Sequence, residues 1–416
     1  MGRMSTRWTW LLGLIVLISI GGLVACGSHY KASSDGLVIV PSQGSGVLQA
    51  FSFNLSNGHT AQIDTSPGVA GKPTAIVLDP SGAFAYIAIL ADPGIANSVT
   101  AIGSYKINSN GTLAATGTAV PMKTLPGAGA VRPAAFAMDS SGKFLFVADE
   151  ATTDSSGAAV AGSVSVFSLS NGSVTELPNS PFAVPALLGG TNANVLALEV
   201  TKTSFPAQNA ACSGTTAPTT ENLYVADAAN NQVFEYAVDP SAGTLTPVSA
   251  LNAPGVATGS VPSAIAVDPC NRFVYVANHD SNNVSGYTIC NATLPPSCQS
   301  GDGSLVSTGT PVSAGNGPTA LAVDPRGNFV YVVNQLSNNL SGYKISPVTG
   351  VLTSFTTVGT GGNPVSIAIR GDDSWLFVAN NQGASISQFS LIPASGILTP
   401  VAATTTDSFP WGVAVK

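Results

Sequence analysis

The chain has 416 residues, of which 44% are hydrophobic and only 8% are charged. Soluble domains usually carry about a quarter charged residues, so uncharged polar side chains must form most of this surface. The 14 basic and 21 acidic residues give a net charge of −7. Because no basic stripe is present to neutralise phosphates, the sequence predicts no nucleic-acid partner.

The first 26 residues have the pattern of a secretory signal. Arg3 and Arg7 precede an apolar run over residues 8–25, which ends in a small residue before Cys26. The tetrapeptide LVAC that ends at Cys26 resembles the lipobox of bacterial lipoproteins, in which the cysteine is diacylated and becomes the first residue of the mature chain. An uncleaved membrane anchor is the alternative, since 18 apolar residues are at the short end of a spanning helix.

We therefore expect an exported protein that is attached to a membrane through a lipid on Cys26. Residues 27–34 would form a short tether, and residues 35–416 the folded part outside the cytoplasm. Gly27, rather than Asp, after the lipidated cysteine resembles lipoproteins that are passed on to the outer membrane or cell surface.

From residue 35 onward the chain repeats one unit of four short apolar segments. The clearest copy begins at Pro318 and reads PTALAVDP, FVYVVN, LSGYKI and VLTSF, separated by turns rich in Gly, Asn and Ser. Segments of four to seven residues rich in Val, Ile, Tyr and Phe are typical of β-strands. The first segments end at Asp79, Asp139, Glu199, Asp268, Asp324, Arg370 and Lys416, so the unit occurs seven times at intervals of 46 to 69 residues.

The third and fourth segments carry further repeated features. The third has an aromatic residue at one position: Phe51, Tyr105, Phe167, Tyr236, Tyr287, Tyr343 and Phe389. The turn into the fourth has a glycine, at Gly58, Gly111, Gly172, Gly243, Gly303, Gly350 and Gly396. Glycine is favoured where a turn needs positive φ.

These repeats predict an all-β, seven-bladed β-propeller of four-stranded antiparallel blades. A single four-stranded blade cannot bury both faces, whereas seven blades in a ring bury one another. The first copy lacks its first segment, and the final residues 410–416 supply one with nothing after it. We therefore expect the C-terminal strand to close the ring by joining the N-terminal blade.

Four cysteines remain after Cys26, an even number that favours two disulfides in an exported protein. Cys212 and Cys270 lie between the first and second segments of neighbouring copies, while Cys290 and Cys298 flank one turn. We expect Cys212 to pair with Cys270 and Cys290 with Cys298. A zinc site is the alternative, but the spacing matches no common zinc pattern.

The second segments end in a series of amide and acid side chains. The series is Asp149, Asp227, Asn278, Asn334 and Asn380, with Pro41 and Ile89 breaking it. The next residues differ from copy to copy: Ser42, Leu90, Glu150, Ala228, His279, Gln335 and Asn381. Loops at this end, which we call the top, are candidates for binding by Asp227, Asn278, Asp280, Asn334, Gln335, Asn380 and Asn381; the alternative is that the Asx side chains bond their own turns.

Ionisable residues cluster on part of this top face. Asp149 or Glu150 could orient a water molecule, His279 could exchange its proton, and Arg132 could stabilise an oxyanion. The alternative is an acidic rim with one solvated histidine and a partnering arginine. The chain has no G-x-S-x-G elbow, no phosphate loop before a helix and only one suitably placed histidine, so we expect no cofactor and no metal.

The motif P-x-A-[IL]-A-V-D-P-x-G-x-F-V-Y-V-[AV]-N, at residues 262–278 and 318–334, resembles the seven-bladed lactonase-like propellers. That superfamily includes 6-phosphogluconolactonases, a carboxymuconate cyclase and YVTN repeat proteins of cell surfaces. Its lactonase members carry an Arg-His pair, a His-Pro and an Asn-Glu. At the matching positions this chain has Thr319-Ala320, Asp324-Pro325 and Asn334-Gln335.

Two functions therefore remain open. The favoured one is binding of a small molecule, glycan or envelope protein by the top loops, because polar uncharged loops suit hydrogen bonding more than acid-base chemistry. The other is hydrolysis of a neutral or weakly acidic lactone, which the resemblance implies.

Overall fold

A computed structural model describes residues 35–66, 68–126, 130–154, 156–184, 192–204, 212, 218–248, 255–290, 298 and 301–416. Its strands form seven antiparallel sheets, with one extra two-stranded hairpin. The fold is the predicted seven-bladed propeller. The predicted leader, the tether and the lipidation site at Cys26 lie outside the described residues.

The strands follow one another blade by blade. Blade 1 begins with β1 (Asp35–Ser42), β2 (Val47–Asn54) and β3 (Thr60–Thr65). Blade 2 has β4 (Lys72–Leu78), β5 (Phe84–Leu90), β6 (Ala101–Ile107), β7 (Leu113–Ala115) and β8 (Val120–Pro121). Blade 3 has β9 (Pro133–Met138), β10 (Phe144–Asp149), the hairpin β11 (Thr152–Thr153) and β12 (Ala159–Val160), β13 (Ser163–Ser170), β14 (Ser173–Glu176) and β15 (Phe182–Ala183). Blade 4 has β16 (Val195–Val200), β17 (Glu221–Asp227), β18 (Gln232–Val238), β19 (Leu245–Pro247) and β20 (Val256–Ala257).

The remaining blades are the most regular. Blade 5 has β21 (Pro262–Val267), β22 (Phe273–Asn278), β23 (Asn283–Ile289), β24 (Leu305–Ser307) and β25 (Val312–Ser313). Blade 6 has β26 (Pro318–Val323), β27 (Phe329–Asn334), β28 (Asn339–Ile345) and β29 (Leu352–Gly359). Blade 7 has β30 (Pro364–Ile369), β31 (Trp375–Asn380), β32 (Ser385–Ile392) and β33 (Ile397–Thr405), and the chain ends with β34 (Ala414–Val415). The outer strand is a single piece in blades 6 and 7 and is broken into two in blades 2 to 5.

The ring closes as predicted, because β34 is the innermost strand of blade 1 in the order β3-β2-β1-β34. Leu37 and Lys416 exchange two backbone hydrogen bonds, of 3.2 and 2.9 Å. Trp411 N–H also donates to the Pro41 carbonyl at 3.0 Å. Both ends of the chain therefore belong to one sheet.

Seven clusters of buried hydrophobic side chains hold the blades together, and each cluster lies at one seam between two neighbours. Strand β22 shows the reason, since its side chains alternate between faces. Phe273 and Tyr275 pack towards blade 6, whereas Val274 and Val276 pack towards blade 4. Each blade is thus buried on both faces, which explains the continuous apolar runs of the second strands.

The turn glycines at the bottom of the ring have two roles. Gly350 has φ of +71°, and a Cβ on it would lie 2.4 Å from the ring of Phe273 in the preceding blade. The hydroxyl of Tyr275 donates to the Gly350 carbonyl at 2.9 Å. Gly396 makes the same pair of contacts with blade 6, so these turns also fix how each blade meets the next.

The end of the first strand in blade 4 differs from the prediction. Asp79 caps its turn by accepting from Phe84 N–H at 2.6 Å while its own N–H donates to the Phe84 carbonyl. In blade 4 Thr201 makes both equivalent bonds, to Asn222, at 2.8 and 2.9 Å. Thr201, and not Glu199, is therefore the equivalent of Asp79, because a hydroxyl replaces the carboxylate as the capping acceptor.

The register of blade 1 also differs, by one residue. Ser42 pairs with Pro410 as Asn278 pairs with Pro262. Ser42 Oγ also donates to Gln49 Oε1, seven residues on, as Asn278 bonds Ser285 seven residues on. Ser42, rather than Pro41, therefore continues the series of polar residues that end the second strands.

Both predicted disulfides are confirmed. Cys212 is joined to Cys270 with Cα atoms 5.1 Å apart, and Cys290 to Cys298 with Cα atoms 5.4 Å apart. The first bond spans 58 residues and attaches the long connection of blade 4 to blade 5. Disulfides persist in oxidising compartments, so the pair indicates a location outside the cytoplasm.

Removing residues 411–416 should destabilise the whole ring, because it deletes the backbone bonds to Leu37 and Pro41 and the buried Val413 side chain. We expect the melting temperature, followed by circular dichroism, to fall by about 5–10 °C. The control is Lys416→Ala, which removes the Nζ bond to the Gly82 carbonyl but keeps the backbone bonds. Equal melting temperatures for the truncated and control proteins would contradict closure by this strand.

Candidate functional site

The top of the ring is held by a backbone hydrogen bond that recurs in successive blades. The residue after the second strand donates its N–H to the carbonyl of the residue before the first strand. The bonds are Glu150 to Arg132 at 2.9 Å, His279 to Val261 at 2.8 Å and Gln335 to Gly317 at 2.8 Å. Side chains from two loops of each blade are thereby brought next to each other.

The asparagines that end the second strands of blades 5, 6 and 7 are buried and bond to the third strand of their own blade. Each Nδ2 donates to two side chains at 2.8 to 3.1 Å: Asn278 to Asn283 and Ser285, Asn334 to Asn339 and Ser341, and Asn380 to Ser385 and Ser387. Their side chains lie below the loops, where they hold the second and third strands together.

Asp149 occupies the same position in blade 3 but carries an acid. Its Oδ2 accepts from Ser163 Oγ at 3.0 Å and Ser165 Oγ at 2.7 Å, while Oδ1 has no partner. Burial raises the pKa of Asp149 to about 7, because the two serine hydroxyls only partly offset the loss of water, and the Glu176 carboxylate opposes ionisation further. The carboxyl is thus inside the blade and close to its titration point at neutral pH.

Asp227 is buried as well, but its oxygens are well provided with donors. Oδ1 accepts from the backbone N–H of Asn194 at 2.8 Å and of Ala229 at 3.0 Å. Oδ2 accepts from the Asn230 amide at 2.7 Å. These bonds tie the loop before β16 to the turn after β17.

The predicted ionisable residues of the top that reach solvent form two separate pairs, beside the pair Lys72–Asp92 of blade 2. In blade 3, Arg132 Nε lies 3.5 Å from Glu150 Oε2, and in blade 5, His279 Nδ1 lies 2.6 Å from Asp280 Oδ1. Blade 4 stands between them. Across the part of the chain that the structure describes, no hydrogen bond or ion pair joins one pair to the other.

Two further predicted residues bridge loops. Gln335 is half-buried and donates through Nε2 to Asn363 Oδ1 at 3.1 Å. Asn381 is buried and donates to the Pro410 carbonyl at 3.3 Å. Gln335 therefore links blade 6 to blade 7, and Asn381 links blade 7 to the closing strand.

A set of ties between blades was not predicted. Asn231, Asn282 and Asn338 have φ between +51° and +57°, and each side-chain oxygen accepts from the backbone N–H just before the next blade, of Val261, Gly317 and Asn363, at 2.7 to 2.8 Å. The repeated Asn-Asn pairs in these turns were the available signal, since Asn tolerates the left-handed region.

Val261 is itself left-handed, with φ of +55°, which is costly for a β-branched residue. It directly precedes β21, beside His279. The top of blade 5 is therefore held in a strained conformation by its neighbour.

The described residues contain no group of three or more His, Cys, Asp and Glu side chains that could hold a metal ion.

The strands and their order define the protein as a seven-bladed propeller whose top is built of polar loops. The family model described as lactonase, 7-bladed beta-propeller, matches residues 189–297 and 302–415. The chain belongs to that family.

Solved structures share the fold at low sequence identity. The "putative 6-phosphogluconolactonase" of Bacteroides uniformis has a TM-score of 0.70 and 18% identity, over 92% of this chain and 100% of that one. The periplasmic gluconolactonase PpgL of Pseudomonas aeruginosa has a TM-score of 0.69 and 18% identity, over 92% and 99% of the two chains. No curated protein matches the sequence.

The raised pKa of Asp149 predicts a specific pH dependence of stability. The folded state holds this proton up to about pH 7 whereas the unfolded chain releases it near 3.8, so stability from this group is full below about pH 4 and is lost as pH rises through 7. Asp149→Asn should remove the loss, because Asn380 bonds the two corresponding serines of blade 7 by donating to them from its Nδ2.

We expect Asp149→Asn to be more stable than wild type at pH 8, by as much as about 4 kcal/mol, and by only about 1 kcal/mol at pH 4.5. Urea unfolding of both proteins at the two pH values measures the difference, which cancels the other titrating groups. A constant difference between pH 4.5 and 8 would show that the carboxyl titrates normally.

Proposed function

We propose that the protein is an exported, lipid-anchored propeller that binds a polar small molecule, glycan or envelope protein through its top loops without hydrolysing it. The observation that carries this proposal is the pairing of the exposed ionisable groups. Arg132 is engaged by Glu150 and His279 by Asp280, in blades 3 and 5. Water activation needs a base and an oxyanion donor on the same reacting atoms, about 3 Å from each.

Asp149 supports the same conclusion, because its carboxyl is only 3% exposed and bonds two serines within the blade. A substrate in the top loops would meet Glu150, His279, Asp280 and Gln335. The buried residues Asp149, Asp227, Asn278, Asn334, Asn380 and Asn381 would support these loops from below.

The ties between blades favour binding by a preorganised surface. The bonds from Asn282 to Gly317 N–H and from Asn338 to Asn363 N–H fix successive loops relative to each other. A surface that is already ordered loses little conformational entropy when a ligand binds, and its uncharged groups give up water at low cost. Polar ligands rich in hydroxyl and amide groups match such a face.

The location rests on the leader and the disulfides. The lipobox-like sequence before Cys26 would give a lipid anchor, and the bonds Cys212–Cys270 and Cys290–Cys298 suit an oxidising compartment. No helix among the described residues has the length and hydrophobicity to cross a bilayer.

Lactone hydrolysis is the second candidate, and the His279–Asp280 contact of 2.6 Å is the observation that favours it. An aspartate on one ring nitrogen orients an imidazole so that the other nitrogen can take a proton from water. The name of the periplasmic gluconolactonase with this fold agrees with that reaction and with the expected compartment.

A panel of sugar and aliphatic lactones, followed by proton release, separates the two functions. With purified residues 27–416 carrying Cys26→Ser, we expect no turnover above the spontaneous rate. The same protein should bind one or more glycans or envelope components, and Gln335→Ala with Glu150→Ala should weaken that binding by about tenfold, as removal of two hydrogen-bonding side chains costs about 1–2 kcal/mol.

The control is His279→Asn. Lactone turnover that His279→Asn lowers at least a hundredfold, in protein of unchanged melting temperature, would replace binding by hydrolysis. Turnover that survives the substitution would place catalysis elsewhere in the ring.

The lipid anchor has its own test in a bacterial host. Full-length protein should incorporate labelled palmitate and stay with the membrane after a high-salt wash, and Cys26→Ser should lose the label. Mass spectrometry of the mature N-terminus distinguishes cleavage before Cys26 from an uncleaved apolar anchor. A labelled Cys26→Ser protein would overturn the assignment.

A further inference from the structure

A cavity of about 580 Å³ occupies the bottom end of the central channel, opposite the top loops. Its wall is formed by the last residues of the first strands of blades 2, 4, 5, 6 and 7 and by the closing strand. Most of the residues that line it are apolar, among them Ile76, Val200, Val267, Leu321, Ile367 and Val413. Its volume falls within the range of small-molecule sites.

One carboxylate interrupts this wall. Glu199 lies opposite Tyr224 in the sheet of blade 4 and lines the cavity. The residues in the same register of the other blades are Val77, Ala137, Ala266, Ala322, Ala368 and Ala414. The fold therefore needs only a small apolar side chain here, and Glu199 is not the turn cap of its blade, because Thr201 has that role.

The Glu199 carboxylate has little compensation from the protein. Its hydrogen bond is from the neighbouring Val200 N–H, at 3.3 Å, and within the described chain no cationic group lies within 4 Å of it. Protein atoms surround it on most sides, and this burial raises its pKa to about 7, although Lys202 favours the charged form. An ionised carboxylate held in this way is costly unless a partner arrives.

Among the described residues, the other charged groups around the cavity form no ion pair with Glu199. Asp268 is sealed and is already bound by Arg272, with Nε to Oδ2 at 2.8 Å. Lys202 is exposed at the rim, where its backbone exchanges bonds of 3.0 and 2.6 Å with the Asn271 side chain. These bonds fix the wall, and Glu199 is the carboxylate that faces the cavity.

We propose that the cavity binds a small organic amine, whose ammonium group pairs with Glu199 and whose alkyl or aromatic body contacts the apolar wall. The site is separate from the top loops and does not depend on the function proposed for them. A cation suits this wall, since within the described chain no cationic group lies within 4 Å of Glu199 and Lys202 acts on it only from the rim. The apolar tier of alanine and branched side chains would supply most of the contact area.

Benzylamine, benzyl alcohol and benzoate are matched probes, to be measured by isothermal titration calorimetry on residues 27–416 with Cys26→Ser. At pH 8 we expect benzylamine to bind with a dissociation constant of about 1 mM or lower. The alcohol and the benzoate should bind at least tenfold more weakly. At pH 5.5 the amine should bind about 30-fold more weakly, because Glu199 is then mostly protonated. At pH 7, binding should release about half a proton.

Glu199→Gln and Glu199→Ala should each abolish the preference for the amine over the alcohol. Glu199→Ala restores the residue found in five other blades, so it should fold and should melt at or above the wild-type temperature. Ala322→Leu, which fills the cavity from another blade while the carboxylate stays, should weaken amine and alcohol alike. Asp280→Asn on the top face is the control and should leave all three probes unchanged.

Equal affinity for benzylamine and benzyl alcohol in the wild type would overturn the proposal, as would an amine preference that persists in Glu199→Gln. Failure to detect benzylamine binding at about 20 mM, which is about 20-fold above the expected dissociation constant, would also overturn it. Because none of these probes is a lactone or a glycan, failure here leaves the test of the top loops unaffected.

Discussion

The structure depends on the burial of both faces of every blade by its neighbours. All seven hydrophobic clusters lie at seams between blades. A blade on its own would expose two apolar faces, and an open ring would expose one at each end. This explains why the last strand of the chain belongs to blade 1, since it contributes Val413 to the seam between blades 7 and 1. The energy of the core is therefore shared around the ring rather than held in any one sheet.

The same constraint explains why a chain of this size can carry so few charges. Tight bottom turns need acceptors for backbone N–H groups. The Asp79 carboxylate supplies one in blade 2, and the Thr201 hydroxyl supplies one in blade 4. At the top, Asn231, Asn282 and Asn338 satisfy the first N–H of the next blade. Hydrogen bonds from neutral polar side chains therefore stabilise many of these turns in place of ion pairs. Such bonds are not weakened by salt as surface ion pairs are.

Strand number, ring closure and disulfide pairing could be predicted because they depend on local patterns. Runs of β-branched and aromatic residues, glycines in turns and cysteines on one rim all follow from sequence spacing. The predicted strand ends were wrong in blades 4 and 1, where the residue type did not show the position of the residue in the strand pairing. The repeat predicts a strand end at Glu199, but hydrogen bonding to Asn222 gives that role to Thr201.

The candidate site was less predictable for a related reason. Arg132, Glu150 and His279 all lie on the top face, yet blade 4 separates the first two from the third. Sequence spacing indicates the face on which a residue lies but not its distance across the ring. Nor does it distinguish a buried amide such as Asn334 from a half-buried one such as Gln335, since one residue decides whether a side chain points into the blade or out of it.

The carboxyls inside the ring differ in how well the protein compensates them. Asp227 has three N–H donors, Asp149 has two hydroxyls, and Glu235 accepts from Leu305 N–H at 2.7 Å. Each of these bonds joins two segments of the chain, so each acid holds neighbouring segments together. Glu199 joins nothing, because its bond is to the next residue along its own strand. A carboxylate that costs stability where alanine would pack, and that holds no other segment in place, is explained by what enters the channel rather than by the ring itself.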